Sequence, residues 1–157
     1  MKRRTIKISR VSAAIFSLLL WAPFASLTAQ TKDPGTLTVR VTGARNAKGK
    51  IGVTLFQGAQ GFPDDTSRAA RQQSVEIDPN TMSAHVIFND LPRGNWAVSV
   101  LHDENGNGKM DKNFVGMPKE GYGASNNPKK KRRAPTFDEA KFSLNASEQT
   151  IEIALIY

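Results

Sequence analysis

The chain has 157 residues, with 22 Lys and Arg against 14 Asp and Glu, and its formal net charge is +8. It contains no cysteine and only 2 histidines. These counts exclude a disulfide framework, a lipid-bearing cysteine, a Cys/His nucleophile pair and a three-histidine zinc site.

The first 29 residues predict a secretory signal peptide. Residues 1–10 carry five Lys and Arg and no acid, residues 11–27 are predominantly apolar, and small residues precede the end at Ala29. This succession is typical of a cleaved leader, and the apolar run is short for a membrane span. We therefore expect removal of residues 1–29 and export to the periplasm or the medium, with no transmembrane span after cleavage. A retained, uncleaved anchor is the alternative.

The leader also holds much of the positive charge. Residues 30–157 carry 17 Lys and Arg against 14 acids, a net charge of +3. Nucleic-acid binding needs a strongly basic surface, so this balance argues against a nucleic-acid partner. The remaining 128 residues are enough for one domain with its own core.

Alternating apolar residues predict two strands at the start of this domain, residues 36–42 and 50–57. The turn residues between them, at 43–49, predict that the two strands form a hairpin. The inward positions are Leu37, Val39, Val41, Ile51, Val53 and Leu55.

The alternation stops at residues 58–71, where a loop with one helical turn is predicted. The turn would span residues 66–71 and begin near Asp64 or Asp65. We expect Phe62, in the same loop, to cover one end of the core.

The same alternation predicts the later strands, at residues 75–77, 82–89, 95–102, 140–145 and 150–157. The strand at 95–102 places four side chains inward: Trp96, Val98, Val100 and His102. Residues 112–135 are rich in Gly, Pro, Asn and Lys and are predicted to form a long loop.

These elements favour an all-β fold. About seven short strands at roughly ten-residue spacing, separated by turn residues, are typical of an antiparallel β-sandwich. The Pro92, Gly94 and Trp96 pattern resembles a turn and strand of immunoglobulin-like and prealbumin-like domains. A barrel is the alternative. We expect one sandwich domain over residues 30–157.

An oxygen-rich loop after the strand at 95–102 predicts a Ca²⁺ site. In an EF-hand loop, side-chain oxygens come from positions 1, 3, 5 and 9 and a backbone carbonyl from position 7. The corresponding residues are Asp103, Asn105, Asn107 and Asp111, with the carbonyl of Lys109. Position 12, normally Glu, is Phe114, so the ligand set is incomplete and Glu120 is the nearest acid. The alternative is an Asn-Gly turn whose side chains bind their own backbone.

Five consecutive cations form a basic run, namely Lys129, Lys130, Lys131, Arg132 and Arg133. Because no aromatic residue interrupts the run, it favours a solvated loop tip over base stacking. An anionic polymer of the cell envelope, or a phosphate-bearing headgroup, is the alternative partner.

Catalytic residues are harder to assign. A Ser-His-acid triad drawn from Ser99, Ser125, His102 and Asp103 is conceivable, but the sequence has no nucleophile elbow of the G-x-S-x-G type. For His102 we favour a structural histidine that bonds the neighbouring loop. The sequence therefore does not identify an enzyme.

Four ordered motifs resemble the bacterial domain-of-unknown-function family 2141. They are residues 90–94 (DLPRG), 101–111 (LHDENGNGKMD), 116–123 (GMPKEGYG) and 125–127 (SNN). The likeness covers nearly all of the predicted domain, but Ala124 departs from it, since an aromatic residue is more usual there. The resemblance implies an exported β-domain without an assigned activity.

Two classes of function remain. The first is an exported structural or binding module of the cell envelope, stabilised by Ca²⁺ in residues 103–111. The second is a secreted enzyme whose active site the sequence does not reveal, and a polyanion-binding module acting through residues 129–133 is a further alternative.

Overall fold

The computed structural model describes residues 33–129 and 133–157, and the predicted signal peptide lies outside them. The described protein is all-β, as predicted, with two short helical segments, Thr66–Arg68 and α1 (Phe137–Ala140). Its strands are β1 (Gly35–Thr42), β2 (Lys50–Phe56), β3 (Arg71–Val75), β4 (Ala84–Leu91), β5 (Gly94–Asp103), β6 (Gly121–Ala124), β7 (Phe142–Leu144) and β8 (Glu148–Ala154). No helix in the described ranges is long and apolar enough to cross a membrane.

The strands form two sheets. One has the order β4-β1-β8, and the other has the order β3-β2-β5-β6, with β7 also paired to β5. All neighbours are antiparallel except β1 and β8, which run parallel. Both sheets contribute to one buried core, which includes Leu37, Val39, Val53, Leu55, Val86, Phe88, Trp96, Val98 and Ile153. The predicted sandwich is therefore confirmed.

The predicted hairpin of the first two strands is wrong. β1 pairs with β4 and β8, whereas β2 pairs with β3 and β5 in the other sheet. Residues 43–49 therefore cross between the sheets. Gly49 has a φ of +67°, and a Cβ there would overlap the carbonyl oxygen of Asp103, so glycine permits this close crossing. Alternation marks a half-buried strand but says nothing about its partner.

The predicted long loop at 112–135 needs a correction, because it contains β6. This strand pairs with β5 and presents glycines to the interior. A Cβ on Gly121 would lie 2.5 Å from Cζ of Tyr157, and one on Gly123 would lie 2.6 Å from Cγ2 of Ile153. Since the strand's inward positions must be small, it lacks the apolar alternation that identified the others.

Other predicted boundaries shift. The strand predicted at 82–89 is β4 (Ala84–Leu91), and the strand predicted at 150–157 is β8 (Glu148–Ala154). The strand predicted at 75–77 is β3, which ends at Val75, although Ile77 is buried beside it. The strand predicted at 140–145 is shorter, because Ala140 belongs to α1. The helical turn begins at Asp65 as expected, where the carboxylate accepts a hydrogen bond from the backbone N–H of Ser67 at 3.1 Å.

A second, smaller apolar cluster covers part of the outward face of the five-stranded sheet. It contains Ala97, Ala124 and Ala140, with Phe62 and Phe137 packed against them. The Phe62 ring meets Phe56 edge to face, with centroids 5.4 Å apart, and meets Phe137 at 6.1 Å. Phe62 therefore belongs to this outer cluster and not to the end of the main core. The cluster covers one part of the face and leaves the rest open.

Candidate functional site

The uncovered part of this sheet face is the floor of a groove with a volume of about 1090 Å³. Alternation points the side chains of three adjacent strands outward here, and the register aligns them in rows. One row is Gln72, Thr54 and Ser99, and the next is Ser74, Gly52 and Leu101. Tyr122 of β6 extends the second row, opposite Leu101.

The side chains of these two rows carry no charge, whereas Lys50 and Asp103, opposite each other in the next row of the same face, are charged. Within the described ranges, the side chains of Thr54, Gln72 and Ser74 form no hydrogen bond with the rest of the protein. Ser99 differs, because its hydroxyl donates to the carbonyl oxygen of Pro63 at 2.7 Å. Thr54 lies deepest, with 5% of its surface exposed. The floor therefore offers unused hydrogen-bonding groups to a ligand.

Loops form the walls of the groove. Residues 63–67 stand on one side, residues 103–110 and 116–118 on the other, and residues 133–135 also line it. The charges along the rim have both signs, from Asp64, Asp65, Lys109, Lys112 and Arg133. The predicted Ca²⁺ loop is thus part of a groove wall, a position that its sequence did not reveal.

Asp103 organises that loop. One carboxylate oxygen accepts hydrogen bonds from the backbone N–H groups of Gly106 at 2.8 Å and Asn107 at 3.1 Å. The other accepts from the N–H of Gly108 at 2.8 Å. Gly106 and Gly108 have φ of +78° and +73°, which glycine adopts without strain. The loop is therefore wound tightly around one carboxylate.

The other predicted ligands converge on Asp111. The side-chain amide of Asn105 donates to one Asp111 oxygen at 2.8 Å, and that of Asn107 donates to the other at 3.0 Å. The amide oxygens accept from backbone, from Asn107 N–H at 3.0 Å and Lys109 N–H at 2.7 Å. The structure thus brings Asp103, Asn105, Asn107 and Asp111 into one compact loop in which the side chains bind each other and their own backbone.

Glu120 closes the loop from below. It is 4% exposed, and its two oxygens accept the backbone N–H groups of Glu104 and Asp111, each at 2.9 Å. These residues lie near the two ends of the loop, so one buried carboxylate fixes both. Glu120, the acid nearest in sequence to the incomplete Ca²⁺ ligand set, therefore binds backbone N–H groups. Phe114, at position 12 of the predicted loop, is 100% exposed.

The donor set decides which ion the loop could hold. Among residues 33–129 and 133–157, no three His, Asp or Glu side chains form a group that could hold a metal ion. A metal here would also need the Asn oxygens and the Lys109 carbonyl. Neutral oxygens with two carboxylates suit Ca²⁺, and the site would be a weak one.

Glu104 ties this wall to the crossing segment at 43–49. One of its oxygens pairs with Arg45 at 2.5 Å, and the other accepts from the side-chain amide of Asn46 at 3.1 Å. Burial opposes ionisation of Glu104, but the Asn46 and Arg45 hydrogen bonds and the Arg45 charge outweigh it and lower its pKa. The wall is therefore held by a charged carboxylate.

His102 lies beneath the same wall and is fully buried. Its Nε2 lies 2.8 Å from the carbonyl oxygen of Lys48, which can only accept, so Nε2 carries a proton. Its Nδ1 lies 2.6 Å from the hydroxyl of Tyr157. That hydroxyl accepts from the N–H of Arg45, and burial raises the pKa of Tyr157. Both ring nitrogens are therefore used in joining separate segments.

The two serines considered for a catalytic triad form hydrogen bonds with backbone groups instead. The buried hydroxyl of Ser125 donates to the carbonyl oxygen of Ala140 at 2.6 Å and accepts the N–H of Val98 at 2.9 Å. Ser99 bonds Pro63. Neither serine contacts His102 within the described ranges, so the structure assembles no triad from these residues.

Only part of the basic run is described. Lys129 is exposed, and Arg133 forms a bidentate pair with Glu139 at 2.8 and 3.0 Å. Lys130, Lys131 and Arg132 lie outside the described residues. The polyanion partner stays a prediction, and it would have to compete with Glu139 for Arg133.

The groove floor was not predicted from the sequence. Gln72, Thr54 and Ser99 come from three different strands, and only the pairing register places them side by side. A partial signal was present, since Thr54 and Ser99 each lie between two apolar residues, whereas β3 has no such alternation. The signal gains meaning only when the strands are known to be neighbours.

Comparison with known proteins gives one family. No curated protein and no solved structure shows a significant similarity to the chain. The model of a family described as an uncharacterized protein conserved in bacteria, DUF2141, matches residues 39–152, a span from β1 to β8. The chain therefore belongs to the DUF2141 family.

Proposed function

We propose that this protein is an exported binding module of the cell envelope that holds an extended, uncharged polar ligand, a carbohydrate chain, in the groove of its five-stranded sheet. The observation that supports the proposal most is the floor. Its two central rows carry no charge and present hydroxyl and amide groups that the fold leaves unused.

The chemistry of the floor favours a carbohydrate. Adjacent strands lie about 4.8 Å apart, so the side chains of Gln72, Thr54 and Ser99 form a ladder of donors and acceptors. The apolar surfaces of Leu101 and Tyr122 lie in the next row. Such a combination suits a ligand with hydroxyl groups on its edges and apolar C–H faces. The two central rows offer no charge to a strongly charged ligand.

Calcium has a supporting part in the proposal. The ion would bind the side-chain oxygens of Asp103, Asn105, Asn107 and Asp111 and the carbonyl of Lys109. Asn105 and Asn107 would turn their amide oxygens to the ion in place of the amide groups that now face Asp111. The ion would thereby stiffen one wall of the groove, and it has no role in any reaction.

The ligand can be tested with purified envelope polysaccharides and isothermal titration calorimetry. We expect Gln72→Ala with Ser74→Ala to weaken binding by about thirtyfold, since each of the two lost hydrogen bonds contributes about 1 kcal/mol. The matched control is Thr38→Ala with Thr150→Ala, a pair of neighbours on the outward face of the other sheet. Equal affinity in both variants, or no binding by the wild type, would contradict the proposed function.

Export is tested separately, by the intact mass of protein recovered from the cell envelope and the medium. The expected species begins at Gln30, because the leader at residues 1–29 has the order of a cleaved signal peptide. A recovered protein that retains these residues would make it a membrane-anchored module instead.

A further inference from the structure

Three apolar side chains project into water from one turn beside the groove. Phe114 is 100% exposed, Val115 64% and Met117 52%. We name residues 112–118 the apolar turn. Isolated exposed apolar residues are ordinary, but three large ones on a single projection indicate an interaction surface.

Hydrogen bonds fix the apolar turn in this form. The side-chain oxygen of Asn113 accepts the N–H groups of Val115 at 3.0 Å and Met117 at 2.9 Å. The backbone of Asn113 bonds Gly116 at 2.9 Å and Met117 at 2.8 Å. Lys112 and Pro118 form a bridge at the base. The turn is thus held in a form that leaves its apolar side chains exposed to solvent.

Lysines surround the base of the turn. Lys109, Lys112 and Lys119 are exposed, and none of them forms an ion pair with a described residue. Two acids lie beside these lysines in the sequence, and both are bonded to other groups. Asp111 accepts the side-chain amides of Asn105 and Asn107, and the buried Glu120 accepts backbone N–H groups. An apolar tip above a cationic collar is therefore the local arrangement.

We propose that the apolar turn inserts into the surface of a lipid bilayer that carries anionic headgroups. Phe114, Val115 and Met117 enter the boundary between headgroups and acyl chains, and the three lysines pair with headgroup phosphates. A protein partner fits less well, because a stable protein interface needs about 1,200 Å² or more, and a single narrow tip supplies little of that. The lysine collar supplies the charge complementarity for lipid.

This inference goes beyond the proposed function and does not depend on the carbohydrate. Met117 and Pro118 also line the groove wall. Insertion of the turn would hold the groove at the bilayer surface, facing polymers that lie next to the membrane.

The test is sedimentation of the protein with vesicles of phosphatidylcholine, with and without added phosphatidylglycerol. We expect binding to the anionic vesicles, and Phe114→Ser should weaken it by about tenfold or more, since it removes the largest apolar side chain from the inserted turn. The matched control is Ile87→Ser, which removes an apolar side chain that is 53% exposed on β4 and should leave binding unchanged. Lys109→Gln with Lys112→Gln should weaken vesicle binding and should make the remaining binding less sensitive to salt.

A second readout separates insertion from adsorption. Phe114→Trp should show a blue-shifted emission with anionic vesicles, and brominated acyl chains should quench it. Because Phe114 makes no buried contact, thermal melting of each variant should match the wild type. Absence of vesicle binding, or binding that needs the lysines but ignores Phe114→Ser, would overturn the proposal. The proposal would also be overturned if Phe114→Ser abolished binding to a protein partner and left binding to lipid unchanged.

Discussion

The outward faces of the two sheets have the same β alternation and different surroundings. On the three-stranded sheet, Thr38 lies between Ile87 and Thr150 on an open surface. On the five-stranded sheet, Thr54 lies between Gln72 and Ser99 and is 5% exposed, and loops stand beside this row. A polar row on a sheet thus becomes a candidate site only where loops wall it. The loops, more than the strands, distinguish the two faces.

The largest loss of stability should come from removing part of the apolar cluster on the outward face of the five-stranded sheet. Phe62→Ala takes away edge contacts with Phe56 and Phe137, and we expect a loss of about 2–3 kcal/mol, below the range for a fully buried Phe. Ile87→Ala, on the open face, should cost less than about 0.5 kcal/mol. Urea unfolding measures both values. Equal losses would mean that the second cluster does not stabilise the fold.

Glu120 tests whether the second wall is fixed. Glu120→Gln replaces one acceptor by an amide donor that faces a backbone N–H, so we expect a cost of about 1.5–3 kcal/mol. Hydrogen exchange at the amides of Glu104 and Asp111 should accelerate most. Glu148→Gln, an exposed substitution on β8, is the control. Unchanged exchange at both amides would show that the wall does not depend on Glu120.

Binding of Ca²⁺ to the wall of the groove should stabilise the protein by a smaller amount. With a Kd of about 10⁻⁴ M, typical of extracellular sites, Ca²⁺ at ten times Kd stabilises by about 1.4 kcal/mol, which raises Tm by a few degrees. The gain over EDTA should vanish in Asp103→Ala and Asp111→Ala and persist in Asp138→Ala. Equal Tm with and without the ion would leave the loop as a hydrogen-bonded turn.

The pH dependence should be the smallest effect. Because the folded pKa of Glu104 lies below its usual value of 4.5, the ionised carboxylate stabilises the fold above that value. This stability is lost as pH falls through the lowered folded pKa. In Glu104→Gln the decline in Tm over this acidic range should be shallower than in the wild type, while Glu148→Gln should follow the wild type. A parallel decline in all three proteins would exclude a part for Glu104.

Sequence alone predicted several features that depend on local pattern, although it missed α1, whose capping box of Thr136 and Glu139 is local. The inward residues of β1 and β2 follow period two, and the short helix begins at Asp65 because a carboxylate there can accept its free N–H groups. The ligand order from Asp103 to Asp111 could likewise be read, and the structure places those side chains together. Each of these features depends only on residues that lie a few positions apart in the sequence.

Features that depend on distant contacts could not be predicted. The partner of β1 is set by the sandwich and not by its own alternation, which is why the hairpin was wrong. β6 was missed because Gly121 and Gly123 make room for Tyr157 and Ile153, residues about thirty positions away. The groove floor needs the register of three strands, and Glu120 acts on backbone groups that no motif marks.

Chemical-shift mapping during titration with the bound polysaccharide tests the central claim most directly. The account predicts that backbone amides of Gly52, Gln72, Ser74 and Ser99 shift with ligand concentration, while those of Thr38, Ile87 and Thr150 on the open face stay in place. Shifts confined to the open face, or to the apolar turn, would contradict the groove as the binding site.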